Sequence, residues 1–183
     1  MNMSKKMPLQ KLLPGFKYHA EILDRDGNVM GPPDITCNIF PKESWEYVVA
    51  CFMGDTGTVP TPSSDWYLGL LQTGAAPDLN STLADIAANF EETTYDEANR
   101  QDFVWTYDAD TGVIGTATTN DRAEFTFTDG ATIYGAFICN IQAKATSGSG
   151  IILSIAEFTS PRVVSAGGVL RLGAYMSLAS SDA

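Results

Sequence analysis

The sequence predicts a mainly β protein, an antiparallel β-sandwich of jelly-roll-like form with an N-terminal arm and one or two short helices. Three observations lead there. Threonine, serine, glycine and alanine are plentiful and lysine is scarce, a composition suited to strands and small turns. From residue 102 onward, apolar residues recur at alternate positions in several separate runs, the period of half-buried strands. Turn signals separate those runs at the spacings of a sandwich. The alternation is too consistent for a parallel α/β sheet, whose strands are apolar on both faces. At 183 residues the chain is long enough to bury a core without disulfides or metal.

The elements follow in order. Residues 1–15 read as an arm. FKYHAEILD (16–24) alternates, with Phe16, Tyr18, Ala20 and Ile22 on one side, and Asp26-Gly27 marks a tight turn. ITCNIF (35–40) is a second strand. PKESWEYVVACFMG (41–54) is helical: Pro41 suits a first turn, Glu43 and Glu46 suit the positive end of the dipole, and Gly54 suits the end. Trp45, Val48, Val49 and Phe52 make one apolar face, expected to bury against the sandwich or a partner. DTGTVPTPSSD (55–65) is the best linker. It divides the chain into residues 1–62, with arm, strand pair and short helix, and residues 63–183, the sandwich domain.

WYLGLL (66–71) is apolar on both sides and predicts a buried strand. LNSTLADIAANF (79–90) predicts a short helix capped by Ser81 or Thr82, with Thr82 and Asp85 as a weaker capping box. DFVWTYD (102–108) predicts a strand with Phe103, Trp105 and Tyr107 on one face. GVIGTATT (112–119), AEFTFTD (123–129), ATIYGAFICNI (131–141), IILSIAEF (151–158) and VLRLGAYMS (169–177) complete the set. ATSGSG (145–150) reads as a flexible hairpin loop or a long excursion, and Ser160-Pro161-Arg162 as a turn.

Charge is unevenly spread. The net charge is −11. Residues 1–42 carry +2 and the remainder −13, and the first 17 residues hold Lys5, Lys6, Lys11 and Lys17 with no acid. A basic arm thus precedes an acidic body. An acidic body repels phosphates, which argues against nucleic-acid binding. No apolar run approaches membrane-spanning length. The start lacks the apolar core of a signal peptide, since Lys11 and Pro14 interrupt it. The three cysteines, Cys37, Cys51 and Cys139, have neither an even count nor a framework spacing, so buried thiols from a reducing compartment are expected.

The residues give no catalytic constellation, and neither an enzyme nor a cofactor is expected. His19 is the single histidine and reads as a strand residue near the surface. Asp24/Asp26 and Asp108/Asp110, each followed by glycine, resemble calcium loops. The glycine comes too early for an EF-hand, and hairpin turns favour the same residues, so no metal site is assigned. Glu91, Glu92 and YDEANR (95–100) read as a solvated acidic face. Trp66, Tyr67, Trp105 and Tyr134 are candidates for stacking on sugars, against the commoner fate of core packing.

The ordered motifs of residues 65–178 resemble those of tailed-bacteriophage virion proteins. They are Tyr67-Leu68-Gly69-Leu70, Ala76-Pro77, Thr82-Leu83-Ala84-Asp85, Glu91 to Tyr95, Arg100-Gln101, FTFTDGATIYGAFI (125–138) and ILSIAEFTSPRVVSAGGVLRL (152–172). The opening EILDRDGNV (21–29) fits the same pattern. The resemblance implies a virion structural protein made in the host cytoplasm, with capsid decoration (cement) as the leading role. It implies a major capsid protein or other virion protein as partner, and a homo-oligomer, expected as a trimer. The lysines of the arm would supply attraction to the partner. The alternatives are a tail, neck or baseplate component, and a carbohydrate-binding module for host recognition.

Overall fold

The computed structural model describes residues 16–37, 40–53, 65–72 and 77–177; the side chains of Cys37, Cys51, Phe52, Met53 and Ser177 lie outside that description. The protein is an antiparallel β-sandwich with two short helices. The strands are β1 (Lys17–Leu23), β2 (Asp34–Cys37), β3 (Tyr67–Leu71), β4 (Glu91–Glu92), β5 (Gln101–Asp102), β6 (Thr106–Asp108), β7 (Val113–Gly115), β8 (Ala123–Phe127), β9 (Ala131–Cys139), β10 (Ile152–Val164) and β11 (Gly168–Ser177). The helices are α1 (Lys42–Met53) and α2 (Leu83–Asp85), the latter running on into a π turn at Ile86–Phe90. None of the described helices is long and apolar enough to cross a membrane.

One sheet has the order β2-β1-β11-β7-β6, with β8 also pairing β11; the other has β10-β9-β3-β4, with β5 also pairing β3. β1 and β2, placed by sequence in the segment 1–62, therefore lie in the same sheet as the last strand. Seven residues of β1 pair with β11, from Lys17↔Tyr175 to Leu23↔Val169.

The core between the sheets is made by the alternation of their strands. Tyr18 and Ala20 of β1, Phe125 and Phe127 of β8, and Leu170 and Leu172 of β11 meet Leu68 and Leu70 of β3 and Ala136 and Ile138 of β9. A second cluster lies on the far side of the β3/β9 sheet, where Leu71, Phe137, Cys139 and Ile155 pack under Leu83 and Ile86. β3 is thus buried on both faces, as its unbroken apolar run predicts. Thr82 caps α2: its hydroxyl accepts from the Asp85 N–H while the Asp85 carboxylate accepts from the Thr82 N–H, the reciprocal arrangement expected.

Two predicted elements differ. DFVWTYD is not one strand. β5 pairs with β3 in one sheet and β6 with β7 in the other, so the chain crosses between layers at residues 103–105. Ser160-Pro161-Arg162 is not a turn. β10 runs through it, and pairing with β9 shifts register between Glu157 and Arg162. A proline has no N–H to give, and a bulge on an edge strand is where its loss costs least.

The edge of β10 is closed by side chains. Three of its carbonyls accept hydroxyls: Ile152 O from Ser44 Oγ (2.7 Å), Ser154 O from Tyr18 Oη (3.3 Å) and Glu157 O from Thr36 Oγ1 (2.6 Å). The Ile152 N–H donates to Glu43 Oε2 at 3.1 Å. Asp34 accepts from Thr159 Oγ1 at 2.9 Å and pairs with Arg162 at 3.2 Å. These contacts join β2 and α1 to β10, and so join the two sheets along one side.

Candidate functional site

The opposite side is built differently. β5 ends with the Phe103 N–H donating to Trp66 O at 2.8 Å, and the Phe103 ring turns inward, edge-on to Phe16 at 5.9 Å. The chain then crosses to β6, whose three residues are all exposed. Val104, Trp105 and Tyr107 are 47%, 45% and 56% exposed. The expected common face of Phe103, Trp105 and Tyr107 does not form, because the crossing separates the buried ring from the other two. A hairpin closes β6 onto β7. Asp108 Oδ1 accepts the Asp110 N–H at 2.9 Å, Asp108 Oδ2 accepts the Thr111 hydroxyl at 2.7 Å, and Gly112 takes φ 67°.

Two open clefts flank Asp102. One, of about 450 Å³, includes Val104, Asp121, Arg122, Glu124 and Arg171 in its wall. Its cations are already engaged, Arg122 with Glu21 at 3.3 Å and Arg171 with Glu124 at 2.7 Å. The other, of about 370 Å³, is lined by Asp65, Trp66, Tyr67, Asp102, Phe103 and Gln142. It combines aromatic rings with carboxylates and an amide, groups that can stack on and hydrogen-bond a polar ring.

The remaining candidates separate. Lys17 is exposed at the start of β1; Lys5, Lys6 and Lys11 lie outside the described residues. On α1, Trp45 and Val49 are 42% and 50% exposed, while Val48 is half-buried; the Phe52 side chain lies outside the description. The fully buried side chain of this helix among the described residues is Ser44, which reaches β10. Trp45 meets Phe40 edge-on at 5.0 Å, and Tyr47 meets Trp66 at 5.8 Å. Tyr67 and Tyr134 are half-buried, so the four candidate stacking rings do not share one exposure.

His19 is half-buried, with Nδ1 buried and without a hydrogen-bond partner among the described residues. Burial and the Arg122 guanidinium hold its pKa below the ordinary value against the pull of Glu21. Asp24 is occupied as a turn cap: its Oδ1 accepts the N–H groups of Asp26 and Asn28 at 2.9 and 2.8 Å. The Asn28 side-chain amide, donating to Asp24 Oδ2 at 3.1 Å, and these N–H groups hold the Asp24 carboxyl below the usual range, and the Thr111 hydroxyl and Asp110 N–H do the same for Asp108. Among the described residues no three of His, Cys, Asp and Glu are grouped to hold a metal.

The acidic stretch is the clearest correction. Glu91 and Glu92 are buried, not solvated. Arg100 makes a two-pronged pair with Glu91, 2.7 Å on each side, and both side chains are fully buried. Arg100 also donates to Ile141 O and Thr146 O, at 2.8 and 2.9 Å, and Glu91 accepts the Ala145 N–H. Lys144 donates to Thr93 O and Tyr95 O and sits 4.0 Å over the Tyr95 ring. The loop 140–150 is therefore fastened at several points. Burial works to lower the Arg100 pKa, but its bond to Glu91 and the pull of the groups around it, the Glu91 charge among them, together outweigh that and raise it. Burial pushes the nearby Cys139 thiol up to about 11, so it stays protonated and unreactive.

Sequence reasoning missed Glu43 and Asp34. Glu43 accepts from the N–H groups of both Leu83 and Ile152, and burial raises its pKa against those bonds. Its place in the first turn of a helix pointed to the dipole, and no local signal names partners forty and more residues away. A scan against models of known protein families finds no match to this chain, and a search of curated proteins finds none.

Proposed function

We propose that the chain is a structural protein of a tailed-bacteriophage virion, acting as a capsid decoration protein that binds the outer shell. The motif order of residues 65–178 supplies the family resemblance. The observation that carries the reading is how the side chains are used. Polar groups that would serve chemistry (Glu43, Glu91, Arg100, Asp34) are consumed by internal bonds, while Trp45, Val49, Val104, Trp105 and Tyr107 face outward. Single exposed apolar residues are ordinary, but large ones grouped together, as Val104, Trp105 and Tyr107 are within four residues, mark an interaction site. Repeated attachment on a lattice lets modest contacts hold, and a trimer is the expected assembly.

Immunogold electron microscopy of particles, with antibody against the recombinant protein, tests this directly. Gold over the head supports decoration. Gold confined to tail or neck moves the role to a tail, neck or baseplate component. Absence of gold from particles, with the protein free in the lysate, sinks the virion reading. The cleft of Trp66, Tyr67, Asp65, Asp102 and Gln142 favours a second reading, a carbohydrate-binding module. It predicts glycan-array binding that Tyr67→Ala abolishes.

A further inference from the structure

The edge of β10 has its carbonyls met by hydroxyls, but the edge of β6 has no strand beyond it among the described residues. An unpaired edge with exposed apolar neighbours is a template for another strand. We infer that, in the free protein, residues 1–9 of the same chain add to β6 as a further strand of this sheet.

The sequence of that segment fits the role. In an extended chain Met1, Met3, Met7 and Leu9 fall on one side, with Lys5 in the same row, and Asn2, Ser4, Lys6 and Pro8 fall on the other. Trp105 and Tyr107 are likewise two apart and half-exposed, so an apolar row has an apolar row to lie beside. Pro8 lacks an N–H, which a strand paired on one side tolerates.

Charge selects between occupants. Residues 1–15 carry Lys5, Lys6 and Lys11 and no acid. The receiving edge exposes Asp108 and the turn residue Asp110, and Asp102 is exposed at the end of β5, four residues before β6 begins. The β6 edge of a second copy would set these aspartates against their own kind, which disfavours that pairing.

Reach agrees. Lys17, Tyr175, Gly115 and Thr106 lie in one row across the sheet, so a strand beyond β6 is four positions from β1. At roughly 4.8 Å per position this is about 19 Å. At about 3.3 Å per residue, roughly six residues span it, which is the length of 10–15 and leaves 1–9 to pair. The tether holds the segment at a high effective concentration near its edge. The inference concerns the isolated chain and stands apart from the virion reading.

Hydrogen exchange read by mass spectrometry over residues 104–108 tests it, on the full chain at low salt. The variant Lys5→Glu/Lys6→Glu/Lys11→Glu is expected to exchange there about tenfold faster than the parent, from the loss of three surface charge pairs. Exchange over β9 should not change. Adding Asp102→Lys and Asp110→Lys to that variant should restore protection, since neither side chain caps the turn. Protection in the parent should be unaffected by tenfold dilution. Equal exchange in parent and variant overturns the inference. Protection that falls on dilution also overturns it, and assigns the edge to a segment of a second copy.

Discussion

The two outer strands β10 and β6 solve the same problem in opposite ways. Among the described residues, both leave backbone groups on one side without a neighbouring strand. At β10 the sequence supplies Ser44, Tyr18 and Thr36 to its carbonyls and Glu43 to an N–H. At β6 it supplies exposed Trp105 and Tyr107. Closing an edge with side chains protects it from stray pairing. Leaving one open beside aromatic rings keeps it available. The difference separates the side of the sandwich that holds the molecule together from the side free to meet something else, and substitutions on the two sides should behave accordingly.

The largest effect is expected at Asp34. It accepts Thr159 and pairs with Arg162, and the two charged side chains are 4% and 18% exposed. Asp34→Ala removes one partner and leaves the Arg162 charge largely out of water. A loss of about 3 kcal/mol follows, at the lower end for a buried pair because Arg162 keeps some solvent. Urea unfolding would measure it. Asp34→Asn retains an acceptor for the Thr159 hydroxyl and should lose less. Equal losses would mean that the charge pair with Arg162, and not the hydroxyl bond, closes this edge.

Glu43 is expected to matter less, and to matter through pH. Burial raises its carboxyl above the ordinary glutamate value, against the two N–H groups it accepts. A carboxyl raised in the folded state holds its proton more tightly there than in the unfolded chain. Its contribution to stability is therefore full below about pH 4.3 and lost as pH rises through the raised value. At pH 7 its charge is a net cost. Glu43→Gln keeps an acceptor oxygen and removes the charge. It should be as stable as the parent at pH 7 or better, by less than about 1 kcal/mol given its half-exposure. The advantage should close near pH 4. Urea midpoints at the two pH values decide it, and a loss at pH 7 would show that the two N–H groups need a full carboxylate.

The sequence carried the strands whose neighbours are implied by their own pattern. Tyr18 and Ala20, or Phe125 and Phe127, point inward because alternation demands it, and the unbroken run at Leu68–Leu71 is buried on both faces for the same reason. The Thr82 cap was legible because both of its bonds are local. What stayed hidden depends on distant partners. Residues 102–108 alternate like one strand, yet their division is set by which sheet has a place beside β3 and which beside β7. Glu91 looks like any surface acid until Arg100 folds back on it. The helical spacing of Trp45 and Val49 gives a face but not its direction, and Ser44 is the residue that turns inward. The surface around β6 was legible only in part: Trp105 stands out as a candidate stacking ring, but alternation puts it on one face with Tyr107 and Phe103, and no local signal separates the buried Phe103 from the two exposed rings.

The smallest stability effect is expected at that surface, and it is the sharpest check on the comparison. In Trp105→Ser/Tyr107→Ser the lost side chains are 45% and 56% exposed, and neither ring is part of the two core clusters. Substitutions away from cores, caps and buried pairs usually shift stability by no more than about 0.5 kcal/mol. The urea midpoint should accordingly stay close to the parent's, while Asp34→Ala moves it far. Binding should reverse that order: capture by virion particles, or protection of residues 104–108 from exchange, should fall in the aromatic variant and persist in Asp34→Ala under conditions where that variant is folded. A fall of more than about 1 kcal/mol in the aromatic variant would place those rings among the groups that hold the sandwich together. The β6 edge would then be closed like β10, by aromatic packing in place of hydroxyls, and the division between a holding side and a meeting side would fail.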